Sequence, residues 1–267
     1  MQIHGARVLL TGASGGIGHT LAHTLARRGA RLVLTGRRAD ALQSLADGLA
    51  SPENHEVLVA DLSERSGLDK LVREAGAVQI LVANAALPSS GDVLEYTAEQ
   101  IDRSLDVNLR APVLLARLLA PGMVQAGQGH LAMIGSISGR VASPGSSLYN
   151  AAKFGLRGFT LGLRQDLHGS GVGVSLVQPG FVRDAGMFAD TGATPPRGTG
   201  TVSPQRVADQ TVRAIERNLA EVNVAPLGLR IGSAVGGLFP TLADTVQRRG
   251  ADPATLHRIA DAQRHKR

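Results

Sequence analysis

Short apolar runs alternate along this chain with longer stretches in which apolar residues recur every three or four positions, a strand–helix rhythm. The first run, residues 6 to 11 (Ala6-Arg7-Val8-Leu9-Leu10-Thr11), leads through a glycine turn into Leu21, Ala22, Leu25 and Ala26 at helical spacing. A second strand is predicted at 31–35 with a helix over 39–50, a third at 56–60 with a helix over 64–75, and a fourth at 79–83. A helical pattern follows over 98–126, where Pro112 and Pro121 predict a kink or a split. Strands at 130–135, 172–177 and 221–225 complete a set of seven. Such alternation implies an α/β fold: a doubly wound parallel sheet of about seven strands with helices on both faces, binding ligands at the carboxyl ends of the strands. Gly12, Arg37, Asp61, Asn84, Ser136 and Pro179 all fall at such ends, so one crevice gathers them.

Composition sets limits on that picture. With 267 residues, 43% of them hydrophobic, the chain is read as one domain over 1–267 with a large core. Cysteine is absent, which excludes disulfides, thiol nucleophiles and thiolate metal sites. The net charge of +6 raises the question of nucleic acid, but acidic residues are interleaved with the bases and aromatics reach only 3%, too few for base-stacking platforms. The C-terminal Arg248, Arg249, Arg258, Arg264, Lys266 and Arg267, with Asp244, Asp252 and Asp261 between them, read as a solvated, partly frayed helix. No nucleic-acid partner is expected. Residues 1–5 lead straight into the first strand and nothing there resembles a signal peptide. The late apolar stretch Ile231–Ala243 is too short to span a bilayer, and a cytoplasmic protein is expected.

Chemistry enters with Tyr149 and Lys153. On a helix, positions i and i+4 share a face, so phenol and ammonium point the same way. A nearby cation favours the phenolate, which predicts a lowered tyrosine pKa and a general acid/base suited to a carbonyl or alcohol oxygen. Ser136 lies thirteen residues before the tyrosine, with Ser138 as a competitor. The second ingredient is Gly12-Ala13-Ser14-Gly15-Gly16-Ile17-Gly18, between a strand and a helix. Its glycines allow a pyrophosphate to approach the backbone, and the helix N-terminus presents free N–H groups. No G-x-x-x-x-G-K-[ST] is present, which argues against a nucleotide-hydrolysing P-loop. Two guanidiniums, Arg37 and Arg38, follow the second strand where a carboxylate would repel a 2′-phosphate, so NADP(H) is favoured over NAD(H). Arg37 is the first candidate phosphate ligand; Arg38 is either a second one or a solvent-facing side chain. His19 and His23 are spaced for a helix-face metal, but no third ligand is apparent, and no metal site is expected.

Together these motifs resemble the short-chain dehydrogenase/reductase family, in its compact branch built on a Rossmann-type sheet. The resemblance covers about residues 5 to 185. Thr11 to Gly18 looks like the family's TGxxxGxG loop, where Gly12, Ser14, Gly16, Ile17 and Gly18 would bind cofactor. Asp61, with Leu62, is similar to the acidic position contacting the adenine. Asn108 resembles the asparagine that anchors a proton-relay water. Ser136, Tyr149 and Lys153 match the catalytic set, spacing included, which selects Ser136 over Ser138. Pro179, Gly180 and Val182 match the turn beside the nicotinamide. Ala83-Asn84-Ala85-Ala86 stands where the family has Asn-Asn-Ala-Gly and keeps only Asn84 of its polar pair. Asp184 occupies the register of a threonine that holds the nicotinamide amide; either its carboxylate accepts from that amide or the loop is shifted.

The resemblance implies hydride transfer between nicotinamide C4 and a carbonyl or secondary alcohol. Tyr149 would be general acid/base, Lys153 would lower its pKa and bind the ribose, Ser136 would hold the substrate oxygen, and Asn108 would hold the relay water. A homodimer or homotetramer is implied as well. A non-catalytic NADP(H) sensor or scaffold on the same fold is the alternative. The chain is short for the longer branch of sugar-nucleotide epimerases and dehydratases. Residues 184–202, rich in Gly, Thr and Pro, read as a substrate lid. Val141, Met187 and Phe188 either line an apolar substrate pocket or simply pack. Residues 227–267 match no motif; their segment 228–239 suits a pocket cover, a subunit contact or, less well, a membrane surface.

Overall fold

The computed structural model describes residues 1–195, 199–250 and 253–264. The apolar runs form β1 (Arg7–Thr11), β2 (Arg31–Gly36), β3 (Glu56–Val59), β4 (Ile80–Ala83), β5 (Gly129–Ile134), β6 (Val172–Pro179) and β7 (Glu221–Val224). All pair in parallel, in the order β3-β2-β1-β4-β5-β6-β7. β1, β4, β5 and β6 are covered on both faces, which explains why they read as unbroken apolar runs rather than as an alternation. Chain order reverses at β1, flanked by β2 and β4, and that switch point opens the crevice.

Helices cover the two faces: α1 (Gly16–Arg27), α2 (Ala39–Asp47), α3 (Arg65–Ala75), α4 (Ala98–Leu105), α5 (Ala111–Gln125), α6 (Ser147–Asp166) and α7 (Pro204–Arg217). One apolar cluster includes Leu21, Leu25, Leu42, Val207 and Ile215 of α1, α2 and α7. The other includes Leu68, Leu71, Leu115 and Leu156 of α3, α5 and α6.

Two helical features depart from the predictions. Between α4 and α5 the chain does not break at either proline; it continues through a π turn, Asp106–Arg110. Pro112 falls in the first turn of α5, where its missing N–H removes the α-helical donor to the Asn108 carbonyl, and the wider turn sits just before it. Pro121 is accommodated within α5. The whole run Ala98–Gln125 is the one described helical stretch long and apolar enough to cross a bilayer, yet Ala111, Leu115, Ala116 and Leu119 are buried in the second cluster.

The second departure is the C-terminal region, which folds as α8 (Leu227–Leu238), α9 (Pro240–Gly250) and α10 (Pro253–Arg264). Instead of fraying, α10 is tied down. Gln263 donates to the Met187 carbonyl at 3.2 Å, and Arg264 pairs with Glu95 at 3.3 Å and Asp261 at 3.2 Å. Asp252, Lys266, Arg267 and residues 196–198 of the expected lid lie outside the described residues.

Candidate active site

The carboxyl ends of β1 and β4 are stitched together first. The Thr11 hydroxyl accepts from the N–H groups of Asn84 and Ala85, both at 3.0 Å. In return, the Asn84 amide donates to the carbonyls of Thr11 (3.1 Å) and Gly12 (3.2 Å). One asparagine therefore anchors the switch point despite the altered Ala83–Ala86 motif. Gly12 has φ +64°, and a methyl there would sit 2.8 Å from the Ala85 Cα, so this turn admits only glycine. α1 starts with Gly15 as its cap, which has no side chain to occupy the free N–H groups, and its first turn, Gly16-Ile17-Gly18-His19, carries no acid. A bare, uncharged helix N-terminus behind a tight glycine turn is the chemistry a pyrophosphate needs, and a dinucleotide fits these residues. A methyl on Gly16 would come within 2.5 Å of the Gly186 nitrogen, so the segment after β6 lies directly over this turn.

At the far end, Asp61 accepts from the Ser63 N–H (2.9 Å) and hydroxyl (2.7 Å). Burial opposes its ionisation, but those bonds and the charges of Arg103 and Arg37 prevail and hold its pKa below the ordinary value. Leu62 beside it is buried. Arg37 therefore lies on the Asp61 side of the crevice. Arg38 is exposed and reaches back to the Ser14 carbonyl at 3.2 Å, placing a second guanidinium on the glycine loop.

The third group surrounds α6. Ser136 follows β5, and its Oγ accepts from the Ser138 N–H at 3.1 Å, which closes the turn. Ser136 lies close enough to Tyr149, near the start of α6, for its hydroxyl to ease ionisation of the phenol. One turn later Lys153 is 3% exposed. Its Nζ donates to the Ile134 carbonyl at 3.2 Å and lies 5.6 Å from the Tyr149 ring centroid.

The expected lowering of the phenol is not found. Burial pushes Tyr149 up to about 12, with the nearby Ser136 hydroxyl pulling the other way, and burial pushes Lys153 down to about 8. The ammonium lies over the ring and is bonded to a carbonyl rather than to the phenol, so desolvation dominates both groups. Near neutrality the phenol is protonated, the form that gives a proton.

Asn108 sits in the π turn. Its buried side chain is fully engaged with Leu87, accepting from that N–H at 2.8 Å and donating to that carbonyl at 2.9 Å, with Ser89 and Ser104 alongside.

The family model "short chain dehydrogenase" matches residues 6–195, which takes in every one of these groups. The chain belongs to the short-chain dehydrogenase/reductase family. It is 34% identical over 254 residues to the ketoacyl reductase HetN of a Nostoc species, covering 91% of this chain and 88% of that one. Among solved structures it resembles a short-chain dehydrogenase from Sphingobium yanoikuyae in complex with NADPH, with TM-score 0.75, 32% identity and 90% and 95% coverage. It also resembles the bulky-bulky ketone-specific alcohol dehydrogenase of Comamonas testosteroni, with TM-score 0.74, 27% identity and 93% and 96% coverage.

In this short-chain dehydrogenase/reductase, β6 extends through Pro179, and Gly180 donates to the Val224 carbonyl at 3.0 Å. Val182 is buried and bridges to Val202, closing the intervening segment into a loop. Asp184 has φ +67°, and its exposed carboxylate pairs with Arg183 at 3.2 Å. Phe188 packs on Phe181 with centroids 4.7 Å apart, and Val141 lies against Gly236 of α8, so both make ordinary packing contacts. His19 and His23 adjoin at 4.7 Å, and among the described residues no group of three His, Asp or Glu side chains is placed to hold a metal.

Proposed function

We propose that this oxidoreductase is an NADP(H)-dependent carbonyl reductase and secondary-alcohol dehydrogenase, using Tyr149 as general acid/base. The observation carrying this reading is the meeting of Ser136, Tyr149 and Lys153 at the sheet edge that also carries the bare N-terminus of α1. Gly12, Ser14, Gly16, Ile17 and Gly18 would hold the pyrophosphate. Asp61, Leu62 and Asn84 would border the adenosine, and Pro179, Gly180 and Val182 the nicotinamide. Arg37 and Arg38 would take the 2′-phosphate, since a planar guanidinium fork suits phosphate recognition. The NADPH bound by the Sphingobium relative supports this choice. NADP(H) supplies or accepts the hydride when bound.

The chain's own groups do the rest. Tyr149, protonated near neutrality, gives its proton to the carbonyl oxygen in reduction and removes it from the alcohol in oxidation. Ser136 stabilises the charge developing on that oxygen. Lys153 places a positive charge beside the phenol, which favours its ionisation as the proton leaves, and would bind the ribose hydroxyls. Asn108 holds the 87–89 segment in place. Its carbonyl, deprived of the proline's N–H, would be the group that holds a relay water.

The names of the ketoacyl and bulky-ketone relatives support an apolar ketone or its alcohol as substrate, reached under the 184–202 loop. The working unit is a homodimer or homotetramer. The test is NADPH absorbance loss over a panel of ketones, aldehydes and quinones, run beside NADH and Tyr149→Phe. Turnover with NADPH that disappears in the variant is expected; tight NADPH binding with no turnover in either direction would favour a sensor.

A further inference from the structure

We propose that Glu221 is a positioning residue for the reaction, locking the Ser136 loop and the Tyr149–Lys153 helix to the sheet in one relative placement. The proposal rests on the catalytic assignment of Ser136, Tyr149 and Lys153. Glu221 opens β7 beside Leu176 of β6, and its side chain is 16% exposed. One carboxylate oxygen accepts from Arg140 at 2.6 Å and from the Gln178 amide at 2.9 Å; the other accepts from Arg157 Nε at 3.1 Å.

Each donor belongs to a different segment. Arg140 ends the turn Ile137–Gly139 that Ser136 begins. Arg157 lies on α6 one turn beyond Lys153, on the same face. Gln178 is the penultimate residue of β6. The serine loop and α6 also touch directly, since a methyl on Gly139 would lie 2.6 Å from the Lys153 carbonyl and 3.2 Å from the Gln178 amide oxygen. Serine loop, catalytic helix and central sheet therefore converge on one carboxylate.

The network is built around a negative charge. Gln178 gives both amide hydrogens away, to Glu221 and to Asn223 (3.0 Å), and leaves its own buried oxygen without a partner. Two guanidiniums meet on Glu221, and charge-assisted bonds this sheltered are stiffer and more directional than surface pairs. Neither arginine is bonded to the reacting groups, so Glu221 acts only by fixing where Ser136 stands relative to Tyr149. A displacement of about 1 Å can cost on the order of 100-fold in rate.

Glu221→Gln retains shape but removes the charge. In the full-length protein with NADPH and the best ketone of the panel, kcat is expected to fall roughly 10- to 100-fold. The KM for NADPH should stay within about 2-fold, and the pH profile of kcat should shift as Ser136 moves relative to Tyr149. In a Ser136→Ala background the same substitution should cost little, because the group it positions is gone. A variant that loses thermal stability but keeps kcat and its pH profile would overturn the proposal, as would full additivity with Ser136→Ala. If Glu221→Gln does not fold, Arg140→Met removes one link alone and is read by the same criteria. Tyr149→Phe with undiminished turnover would instead sink the catalytic assignment itself, a distinct result.

Discussion

Lys153 carries its charge where burial disfavours it, and the consequence is measurable. Its folded pKa, about 8, lies below the ordinary 10.5. Between those values the unfolded chain holds a proton that the folded chain has released, so stability rises with pH through that window and the full penalty is present below pH 8. Relative to Lys153→Met, the wild-type apoprotein should gain about 2 to 3 kcal/mol between pH 7 and pH 10, read by urea denaturation at each pH. A constant difference would mean the ammonium is solvated. Above pH 10 the raised Tyr149 pKa acts the opposite way, since the unfolded phenol ionises first, so the comparison belongs below that point. Tyr149→Phe should lower ketone reduction by roughly 100- to 10,000-fold while NADPH binding by fluorescence titration is retained. Arg38→Asp should weaken NADPH about 10- to 100-fold and NADH far less, the effect of removing a charged phosphate contact and adding a repelling one. Ser136, Tyr149 and Lys153 were legible because their spacing is local. The contact of Arg38 with the glycine loop was not, because its partner is a backbone carbonyl 24 residues away, brought near only by the pairing of β1 and β2. The pKa of Tyr149 was misjudged for a related reason: proximity along a helix says nothing of how deeply a phenol is buried.

Among the secondary elements, the π turn shows what the sequence could and could not convey. Pro112 announces a disturbance, but α5 buries Ala111, Leu115, Ala116 and Leu119 in the core, and the chain widens one turn instead of breaking. That places Asn108 where its side chain satisfies both backbone groups of Leu87. Asn108→Ala leaves the buried Leu87 N–H unpaired, at roughly 1–3 kcal/mol, while the Leu87 carbonyl keeps the Ser89 hydroxyl. Chemical denaturation should show a loss of about 1–3 kcal/mol even without cofactor; no loss would return the residue to a purely catalytic role. The strands were readable because sheets buried on both faces demand continuous apolar runs. α8 was not, because Gly228, Gly232, Gly236 and Gly237 depress helix propensity and its apolar stripe, Leu227, Ile231, Val235 and Leu238, faces outward instead of into the core.

Taken whole, the molecule leaves that same region under-covered. Leu227, Ile231, Val235, Leu238, Phe239, Leu242 and Val246, from α8 to α9, are 42% to 76% exposed. Together they present roughly 700 Å² of apolar surface, more than a monomer usually shows and close to the ~800 Å² one partner contributes to a standard interface. The inner side of α8 is already engaged, with Ser233 buried, Leu229 facing Gly180 and Gly236 facing Val141, so this surface cannot be covered by the helix rolling inward. A second copy meeting it about a two-fold axis would cover both patches at once, since an isologous contact uses the same surface twice. Light scattering should therefore give a dimer or larger for the wild type, and Leu238→Ser with Phe239→Ser should reduce that mass while leaving NADPH binding intact. An unchanged mass would place the subunit contact elsewhere on the molecule, and a monomeric wild type would remove the homo-oligomer from the proposed function without touching the chemistry at Tyr149.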